Sequence, residues 1–503
     1  MRKLLPAIVL FGFALGFTAC KKEIDKKVDP DPPVVESTKE EMIKDSVFYY
    51  TKVLSLWQVY FPPAKVENIL QKGVIRSFTS KYKTGEDVLD WMLSLTPIDT
   101  NTGKPIDRYS FLDREGVVSG EIQGALVKSF GFYIFYLNDD LSIRMVDKNS
   151  PADKVGMRRG DRILSINGNS KLDYNSQAAE KFATLNKYLN SSNLTIRFKK
   201  SDGTELEKQL VNVSYDVDPV LDNRVLEIPG KKVGYLAFNS FVSIRDKGQP
   251  TRMYQTFENI FADFQSKGIN ELIVDMRYNG GGSVETAEYL ANYIAPPTAD
   301  KQRMYYYEMN SLLTDEWKWT AEGDDFGPVY FKKKGNLNLP KVYFLVTKST
   351  ASASELLINA LRAYMPVYMI GTKSQAVAGG PVTDEKTYGK PVGFFGVTIV
   401  DKGIELYAAS FKTFNNNKEG DYYGGLKPSY NVWEFSKFLD FGNPEEPMIA
   451  AALQHIKSGN FAAPTTRAFA APGVANQIER RLDIQETKGS SNMFKFPKDK
   501  VIK

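Results

Sequence analysis

The stretch from Lys341 to Leu361 constrains the fold more than any other part of the chain. Its first half, 342–346, is an unbroken run of β-branched and aromatic residues, which is typical of a strand buried on both faces. Apolar residues between 356 and 364 then recur at helical spacing. The small hydroxylated residues at 350–354 are therefore expected at a helix N-terminus, where unpaired amides point outward. Such a junction can hold a nucleophile, although Ser and Thr also favour this position simply as helix caps.

Strands and helices alternate along residues 216–459. The predicted strands are 233–238, 271–276, 339–346 and 367–370, and the predicted helices are 253–264, 284–293, 356–364 and 448–456. This alternation indicates a central, largely parallel or mixed sheet with helices on its faces. We therefore predict a mixed α/β fold with an α/β domain as its main body.

The N-terminus has the features of a targeting segment. A positively charged start is followed by an apolar run at 4–17 and by small residues that lead to Cys20. This pattern resembles a bacterial lipoprotein signal, which implies removal of residues 1–19, lipidation of Cys20 and a lipid-anchored location in the cell envelope. An ordinary signal peptide with a leftover thiol is the alternative. Because Cys20 is the only cysteine, disulfides and a cysteine-based metal site are excluded.

Composition separates several further regions. Residues 20–39 are charged and proline-rich, as in a tether, and residues 40–117 show helical periodicity. The segment 460–503 has no periodic pattern, and we expect little fixed structure there. A net charge of +5 is too small to indicate nucleic-acid binding. No second long apolar run follows the first, so a transmembrane helix is not expected after cleavage.

Residues 118–215 read as short strands separated by turn signals. The run 149–168, NSPADKVGMRRGDRILSING, resembles a PDZ domain, which implies an inserted β-rich module. Such domains bind an extended peptide at a sheet edge and capture its terminal carboxylate with a glycine-containing loop. By this resemblance Gly131 and Phe132 would bind peptide. The loop lacks the usual first glycine because Ser129 stands there, so a purely structural or gating module is the alternative.

The small-residue run STASASE at 349–355 resembles the nucleophile motif of the carboxyl-terminal processing peptidases, the tail-specific Ser-Lys proteases. The register of that motif implies that Ser352 is the nucleophile. Ser354 would lie one step into the helix.

The chain offers few choices for a base. His455 is the only histidine, and it lies on a predicted helix where packing is the simplest role. Ser-His-Asp chemistry is therefore not expected, and a multi-histidine metal site is excluded. A lysine can serve instead when burial disfavours its ammonium form. Lys390 lies among apolar residues in a Thr-Tyr-Gly-Lys run that resembles the lysine motif of the family.

This segment departs from the family pattern in two ways. Lys390 follows Ser352 by 38 positions, whereas the pattern has 25, which indicates an insertion of 13 residues between Gly371 and Thr387. We predict a surface loop beside the site, with Lys373 as a weaker alternative base. In addition, Phe394 stands where many relatives place a glutamine that orients the lysine.

The run DMRYNGGGS at 275–283 follows a predicted buried strand and precedes a predicted helix. A phosphate-binding loop is excluded because the run lacks the Gly-Lys-Ser/Thr ending and the spacing of a dinucleotide fingerprint. The run resembles the Asp-x-Arg-x-Asn-x-Gly-Gly segment of the same peptidases. That resemblance implies an oxyanion hole formed by the backbone amides of Gly281 and Ala353.

Taken together, these resemblances imply a lipid-anchored serine peptidase that needs neither a metal nor an organic cofactor. Its catalytic domain would span residues 216–459, and its partners would be proteins or peptides with flexible C-termini. The alternative is a non-catalytic peptide-binding lipoprotein in which the altered spacing and Phe394 mark a lost dyad. The oligomeric state and the natural substrate stay open.

Overall fold

The computed structural model describes residues 37–116, 118, 127–216, 218–375, 382–400, 403–461, 479–481 and 493–495. The predicted signal peptide, Cys20 and nearly all of the predicted tether lie outside these residues. Within the described ranges, none of the helices combines the length and apolarity that a bilayer crossing requires.

A mostly parallel sheet forms the centre of the region after residue 218. Its strands, in spatial order, are Val220–Ile228, Lys231–Phe238, Glu271–Asp275, Val342–Leu345, Val367–Gln375 and Val382–Asp384, with Tyr430–Val432 also paired to Val367–Gln375. The pairs from Lys231–Phe238 to Val367–Gln375 are parallel. Parallel strands place their carboxyl ends at one edge of the sheet, and ligands of such sheets bind outside that edge. The loops after Asp275 and Leu345 therefore meet there.

Helices cover this sheet, as the alternation predicted. They are Arg252–Lys267, Val284–Ile294, Ala353–Arg362 and Pro447–Ser458. The sequence of the first helix explains why it packs on the sheet. Its buried apolar residues recur at helical spacing and so lie on one face; they are Met253, Phe257, Ile260, Phe261 and Phe264. That helix ends at Gly268, whose φ of +66° is a conformation that glycine adopts without strain.

A second sheet lies beside the central one. Its strands, in order, are Gly282–Ser283, Met493–Phe494, Val392–Thr398, Glu405–Asn415, Arg303–Glu308 and Val329–Tyr330, with Phe111–Asp113 also paired to Glu405–Asn415. We call Val392–Thr398 the lysine strand because it begins two residues after Lys390. The inner faces of both sheets contribute to one large apolar core.

The PDZ-like region has a sheet and a core of its own. Its strands, in order, are Glu479–Arg481, Phe132–Leu137, Asp140–Val146, Arg162–Ile166, Asn193–Lys199 and Glu205–Val211. A separate pair joins Val127–Ser129 to Val213–Tyr215. The helices are Pro151–Lys154, Tyr174–Ala179 and Ala183–Leu189. Among the residues that the structure describes, sixteen buried apolar side chains form the core of this region.

The N-terminal region is helical, as its periodicity predicted. Its α-helices are Lys39–Leu54, Val74–Thr79 and Gly85–Ser94, with short 3₁₀ turns at Gln58–Tyr60 and Val66–Leu70 and a small hairpin of Ile98–Asp99 with Lys104–Pro105. At the start of the third helix, the Thr84 hydroxyl accepts from the Asp87 amide, and the Asp87 carboxylate accepts from the Thr84 amide. This reciprocal capping box gives a partner to two backbone amides that would otherwise have none. The apolar faces of these helices join the large core.

Two expectations about loops need correction. The inserted segment is not simply a surface loop, because Lys373, Ser374 and Gln375 pair antiparallel with 382–384 and so extend the sheet as a hairpin. Likewise, the C-terminal segment 460–503 is not without structure, since Glu479–Arg481 and Met493–Phe494 each form a strand. The hairpin pairs residues of the same segment, whereas the C-terminal strands pair with residues more than 200 positions earlier, which local periodicity does not report.

Candidate active site

The predicted nucleophile lies at the junction that constrains the fold. The strand Val342–Leu345 leads into a turn, and Ser352 directly precedes the helix Ala353–Arg362. The side chain of Ser352 is fully buried, and its hydroxyl has no hydrogen-bond partner among the described residues. Its φ is +61° with ψ at −112°, which is strained for a residue other than glycine. Strain of this kind is concentrated at functional sites, where the surrounding structure maintains it.

Hydrogen bonds fix this turn to the glycine-rich segment that follows Asp275. The Thr350 hydroxyl donates to the carbonyl of Met276 at 2.8 Å, and the Ala351 amide donates to the carbonyl of Asn279 at 3.1 Å. The Ser354 hydroxyl also donates to that carbonyl, at 3.0 Å. The two segments that were predicted to carry the nucleophile and the oxyanion donors are thus held side by side.

The two predicted oxyanion donors differ in what they contact. Ala353 is the first residue of its helix, a position whose amide has no partner within the helix. The Gly281 amide donates to Oδ1 of Asn279 at 2.9 Å. Gly281 has a φ of +117°, and a Cβ on the next residue, Gly282, would lie 2.5 Å from the carbonyl oxygen of Phe241. Glycine is therefore required at both positions.

A single carboxylate connects the segment of Ser352 to the segment of Lys390. Oε2 of Glu355 accepts from the backbone amide of Ser352 at 2.9 Å and from that of Lys390 at 2.8 Å. The two backbone nitrogens are therefore no more than 5.7 Å apart, the sum of these two distances. Oε1 of Glu355 accepts from the Gly389 amide at 2.9 Å and from the Thr387 hydroxyl. Burial raises the pKa of Glu355, while these donors lower it.

Lys390 is buried, and two aromatic rings lie next to its amine. Its Nζ lies 4.8 Å from the ring centre of Phe394 and 5.2 Å from that of Tyr109. Burial lowers the pKa of Lys390 to about 7; Asp107 and Glu355 oppose this shift, and Arg108 adds to it. An amine with this pKa is largely neutral slightly above pH 7, as a general base must be.

Sequence reasoning did not assign a role to Asp107 and Tyr109. Tyr109 contributes one wall of the lysine environment, and its hydroxyl donates to the carbonyl of Gly389 at 2.9 Å. Asp107 is fully buried and accepts from the amides of Tyr109 and Ser110. Burial raises the pKa of Asp107, and these hydrogen bonds oppose the shift.

Sequence reasoning also missed a buried ion network beneath the glycine segment. The guanidinium of Arg277 contacts Asp275 at 2.8 Å, Glu446 at 2.7 Å and Glu434 at 3.3 Å. Arg159 of the PDZ-like region contacts the same Glu434 at 2.8 Å. This network therefore links the PDZ-like region to the strand end that carries the glycine segment. Arginines give little signal in a sequence because most of them are solvated.

The predicted peptide-binding residues lie at the start of the strand Phe132–Leu137. Gly131 has a φ of +78°, and a Cβ there would clash with Cβ of Ser150 at 2.0 Å. The Gly131 amide donates to the hydroxyl of Ser129 at 3.1 Å. The side chain of Phe132 is buried in the core of the PDZ-like region.

The weaker candidate bases lie elsewhere. Lys373 is in the inserted hairpin, where its amine is 3.6 Å from the carboxylate of Asp384. His455 is a packing residue, as predicted, with Nδ1 2.7 Å from the hydroxyl of Tyr343 and its ring stacked on Phe461.

Comparison with known proteins shows which families the regions of this chain match. The model of peptidase family S41 matches residues 232–398, and a PDZ domain model matches residues 142–181. The chain is 24% identical over 339 residues to the carboxy-terminal processing protease CtpB of Bacillus subtilis, covering 58% of this chain and 63% of that protein. It is also 24% identical over 393 residues to a carboxyl-terminal-processing protease of Synechocystis, covering 77% and 80%.

The chain is also similar to a solved structure, over nearly the whole length of that structure. The crystal structure of an S41 protease from Bacteroides fragilis superposes with a TM-score of 0.59 at 25% identity, covering 82% of this chain and 97% of that one. The fold and the matched domains define a serine-type peptidase. Residues 232–398 thus match peptidase family S41 and residues 142–181 match a PDZ domain, in agreement with the predicted family, and the fold class is confirmed.

Proposed function

We propose that this protein hydrolyses peptide bonds in flexible protein segments near their C-termini, with Ser352 as nucleophile and Lys390 as base. One observation carries the proposal: the carboxylate of Glu355 accepts from the backbone amides of both residues, and the amine of Lys390 is buried. The names of the curated relatives support the substrate class. A lost dyad is not favoured, because the carboxylate of Glu355 holds the backbones of Ser352 and Lys390 close together.

In the proposed reaction, Nζ of Lys390 takes the proton of the Ser352 hydroxyl while the oxygen attacks the carbonyl carbon of the scissile bond. The Ala353 amide donates to the oxyanion of the tetrahedral intermediate. The Gly281 amide contributes a second bond when it leaves Oδ1 of Asn279. The protonated lysine then gives its proton to the leaving amine, which produces an acyl-enzyme on Ser352. Water hydrolyses this ester with the same lysine as base.

The PDZ domain would hold the substrate. We propose that an extended segment adds to the edge of the strand Phe132–Leu137 that faces away from Asp140–Val146, with Gly131 at the end where a terminal carboxylate would bind. The buried contact between Arg159 and Glu434 gives this event a direct connection to the glycine segment of the active site.

The proposal is tested with a disordered-tail protein as substrate. Ser352→Ala and Lys390→Ala should each reduce cleavage to the background level, whereas Lys373→Ala should cleave like the wild type. Full activity in Lys390→Ala would remove the proposed base, and loss of activity only in Lys373→Ala would transfer the role to the hairpin lysine. Labelling of Ser352 by a fluorophosphonate, located by mass spectrometry, reports the nucleophile independently of the substrate.

We also propose that Cys20 is lipid-modified and anchors the protein in the cell envelope, which the sequence pattern alone supports. Labelling with a radioactive fatty acid should tag the wild type and not Cys20→Ser. An unlabelled wild type in the soluble fraction would contradict this anchor.

A further inference from the structure

The strand of the PDZ domain that would receive a substrate already has a partner. Glu479–Arg481 pairs antiparallel with Phe132–Leu137, with Glu479 opposite Leu137 and Arg481 opposite Phe135. The paired segment therefore runs toward Gly131. This is the direction of a peptide whose C-terminus approaches the glycine loop of such a domain.

Side chains also place this segment in a groove. The guanidinium of Arg480 lies 3.8 Å from the ring centre of Tyr174, at the start of the helix Tyr174–Ala179. The ring of Tyr174 in turn packs edge-on against Tyr136 of the groove strand. A second contact joins Arg480 to the carboxylate of Asp139 at 3.7 Å. The segment is thus held between a strand edge and a helix, and we call this site the PDZ groove.

A second piece of the C-terminal segment lies in the catalytic domain. Met493 pairs with Gly282 and Phe494 with Ser283, in parallel, while Phe494 also pairs with Phe394 of the lysine strand. These two residues therefore bridge the glycine segment and the lysine strand, a gap that we call the catalytic cleft. Both side chains are buried, with 0% of Met493 and 2% of Phe494 exposed.

The aromatic ring of Phe494 reaches the wall of the lysine environment. Its ring centre lies 5.8 Å from that of Phe394, and the centre of the Phe394 ring lies 4.8 Å from the amine of Lys390. It also lies 5.2 Å from the ring centre of Tyr407. A peptide that entered the cleft in an extended form would need the backbone and ring surfaces that Met493 and Phe494 now cover.

Lys495 follows this pair, and its surroundings are complementary to its positive charge. Nζ of Lys495 donates to the hydroxyl of Tyr307 at 2.9 Å, and that hydroxyl lies 2.7 Å from the hydroxyl of Tyr305. Tyr305 donates onward to the carboxylate of Glu288. The ammonium of Lys495 is therefore connected to a carboxylate through two buried tyrosines, which is complementarity of charge rather than a chance contact.

We propose that the C-terminal segment is an intramolecular ligand that occupies both the PDZ groove and the catalytic cleft, so that a protein substrate must displace it. This inference rests on the proposed function in one respect: it assumes that the substrate lies in the catalytic cleft. A tethered ligand competes at a high effective concentration, so weak contacts at each site are enough to inhibit. The contacts also indicate the ligand class: an extended segment with an apolar pair followed by a basic residue.

The first test measures occupancy without catalysis. A fluorescent peptide of residues 476–498 is titrated against full-length protein carrying Ser352→Ala, with or without Arg480→Glu and Phe494→Asp. The additional substitutions should release the tethered segment and tighten binding of the peptide about tenfold or more. The control adds Arg197→Glu and Leu70→Asp, two changes of the same kind at exposed sites, and should bind like the parent. Equal affinity in all three proteins would overturn the proposal.

The second test uses the active enzyme and the disordered-tail substrate. Arg480→Glu with Phe494→Asp should raise kcat/KM mainly through a lower KM, and the tail peptide should then inhibit competitively. Reduced activity with a lower Tm would show that Met493 and Phe494 are ordinary core residues, and would overturn the cleft half of the proposal. Arg480→Glu alone tests the groove half, because Arg480 is partly exposed and its loss leaves the core intact. Absence of turnover in every protein refutes the proposed function, while the binding test still decides the tethered ligand.

Discussion

Two buried lysines in different regions of this protein differ in what surrounds their amines. Lys52, in the N-terminal helices, is 1% exposed, and Lys390, in the catalytic domain, is 5% exposed. Burial lowers the pKa of both, to about 8 for Lys52 and to about 7 for Lys390. Exposure alone therefore does not distinguish them.

Their contacts do distinguish them. Nζ of Lys52 donates to the carbonyls of Gln58 at 2.8 Å and Phe61 at 2.7 Å. Its ammonium group therefore stabilises the turn at 58–61. Nζ of Lys390 lies against the faces of Tyr109 and Phe394, and the backbone amides of Lys390 and Ser352 share the carboxylate of Glu355. The comparison teaches that burial alone does not assign a role: the contacts of Lys52 are structural, whereas the proposed function makes Lys390 the base because its backbone is held close to that of Ser352.

The largest effect is predicted for Lys390→Met, and unchanged activity in this variant would contradict the comparison. Loss of the base should lower kcat/KM by about 10³-fold, because general-base catalysis contributes about that factor. The fold should be retained, since methionine suits the apolar walls. Circular dichroism and cleavage of the disordered-tail substrate check both expectations.

The same variant has a stability signature. The folded pKa of Lys390 is about 7 and the unfolded value is about 10.4, so the unfolded chain binds more protons between these values. The wild type should lose stability relative to Lys390→Met as the pH falls from about 10 to about 7, with no further change below. A constant difference across this window would contradict the lowered pKa.

A smaller loss of activity is predicted for Glu355→Gln. The substitution replaces one acceptor oxygen by a donor group that faces backbone amides, so the segments of Ser352 and Lys390 should separate slightly. A displacement of this kind costs about 100-fold in kcat/KM. The nearby negative charge also raises the pKa of Lys390, so its removal should shift the pH midpoint of activity below that of the wild type. Unchanged kinetics would show that Glu355 only caps the helix.

Lys52→Met should show the opposite pattern to Lys390→Met. It leaves two carbonyls without their donor and should cost about 2 kcal/mol in the free energy of unfolding. Activity per folded molecule should stay at the wild-type value. Urea denaturation measures the first quantity and active-site titration with a fluorophosphonate the second. A loss of turnover in properly folded Lys52→Met would end the distinction between the two lysines.

The sequence predicted the parts of this site that are encoded locally. The strand before Ser352 and the helix after it have clear periodicity, and the motif fixed which serine to choose. Lys390 needed the family resemblance, because an insertion separates it from its expected spacing. The bonds from Glu355 to residues 387–390 join segments more than 30 positions apart, and no local pattern encodes them.

The C-terminal segment shows the same limit more strongly. Each of its strands has two or three residues, which is too short for any alternation to be visible. Their partners, Phe135–Leu137 and Gly282–Ser283, lie hundreds of positions earlier, and the pairing uses backbone groups that every residue possesses. Composition alone therefore suggested an unstructured tail.

The central claim is that the neutral amine of Lys390 activates Ser352. It is tested most directly by the rate at which a fluorophosphonate labels Ser352 as a function of pH, in the wild type and in Lys390→Met. The wild-type rate should rise with pH through a midpoint near 7, because the amine must lose its proton, and the variant should be slow with no such midpoint. Equal rates and equal pH profiles in the two proteins would contradict the account.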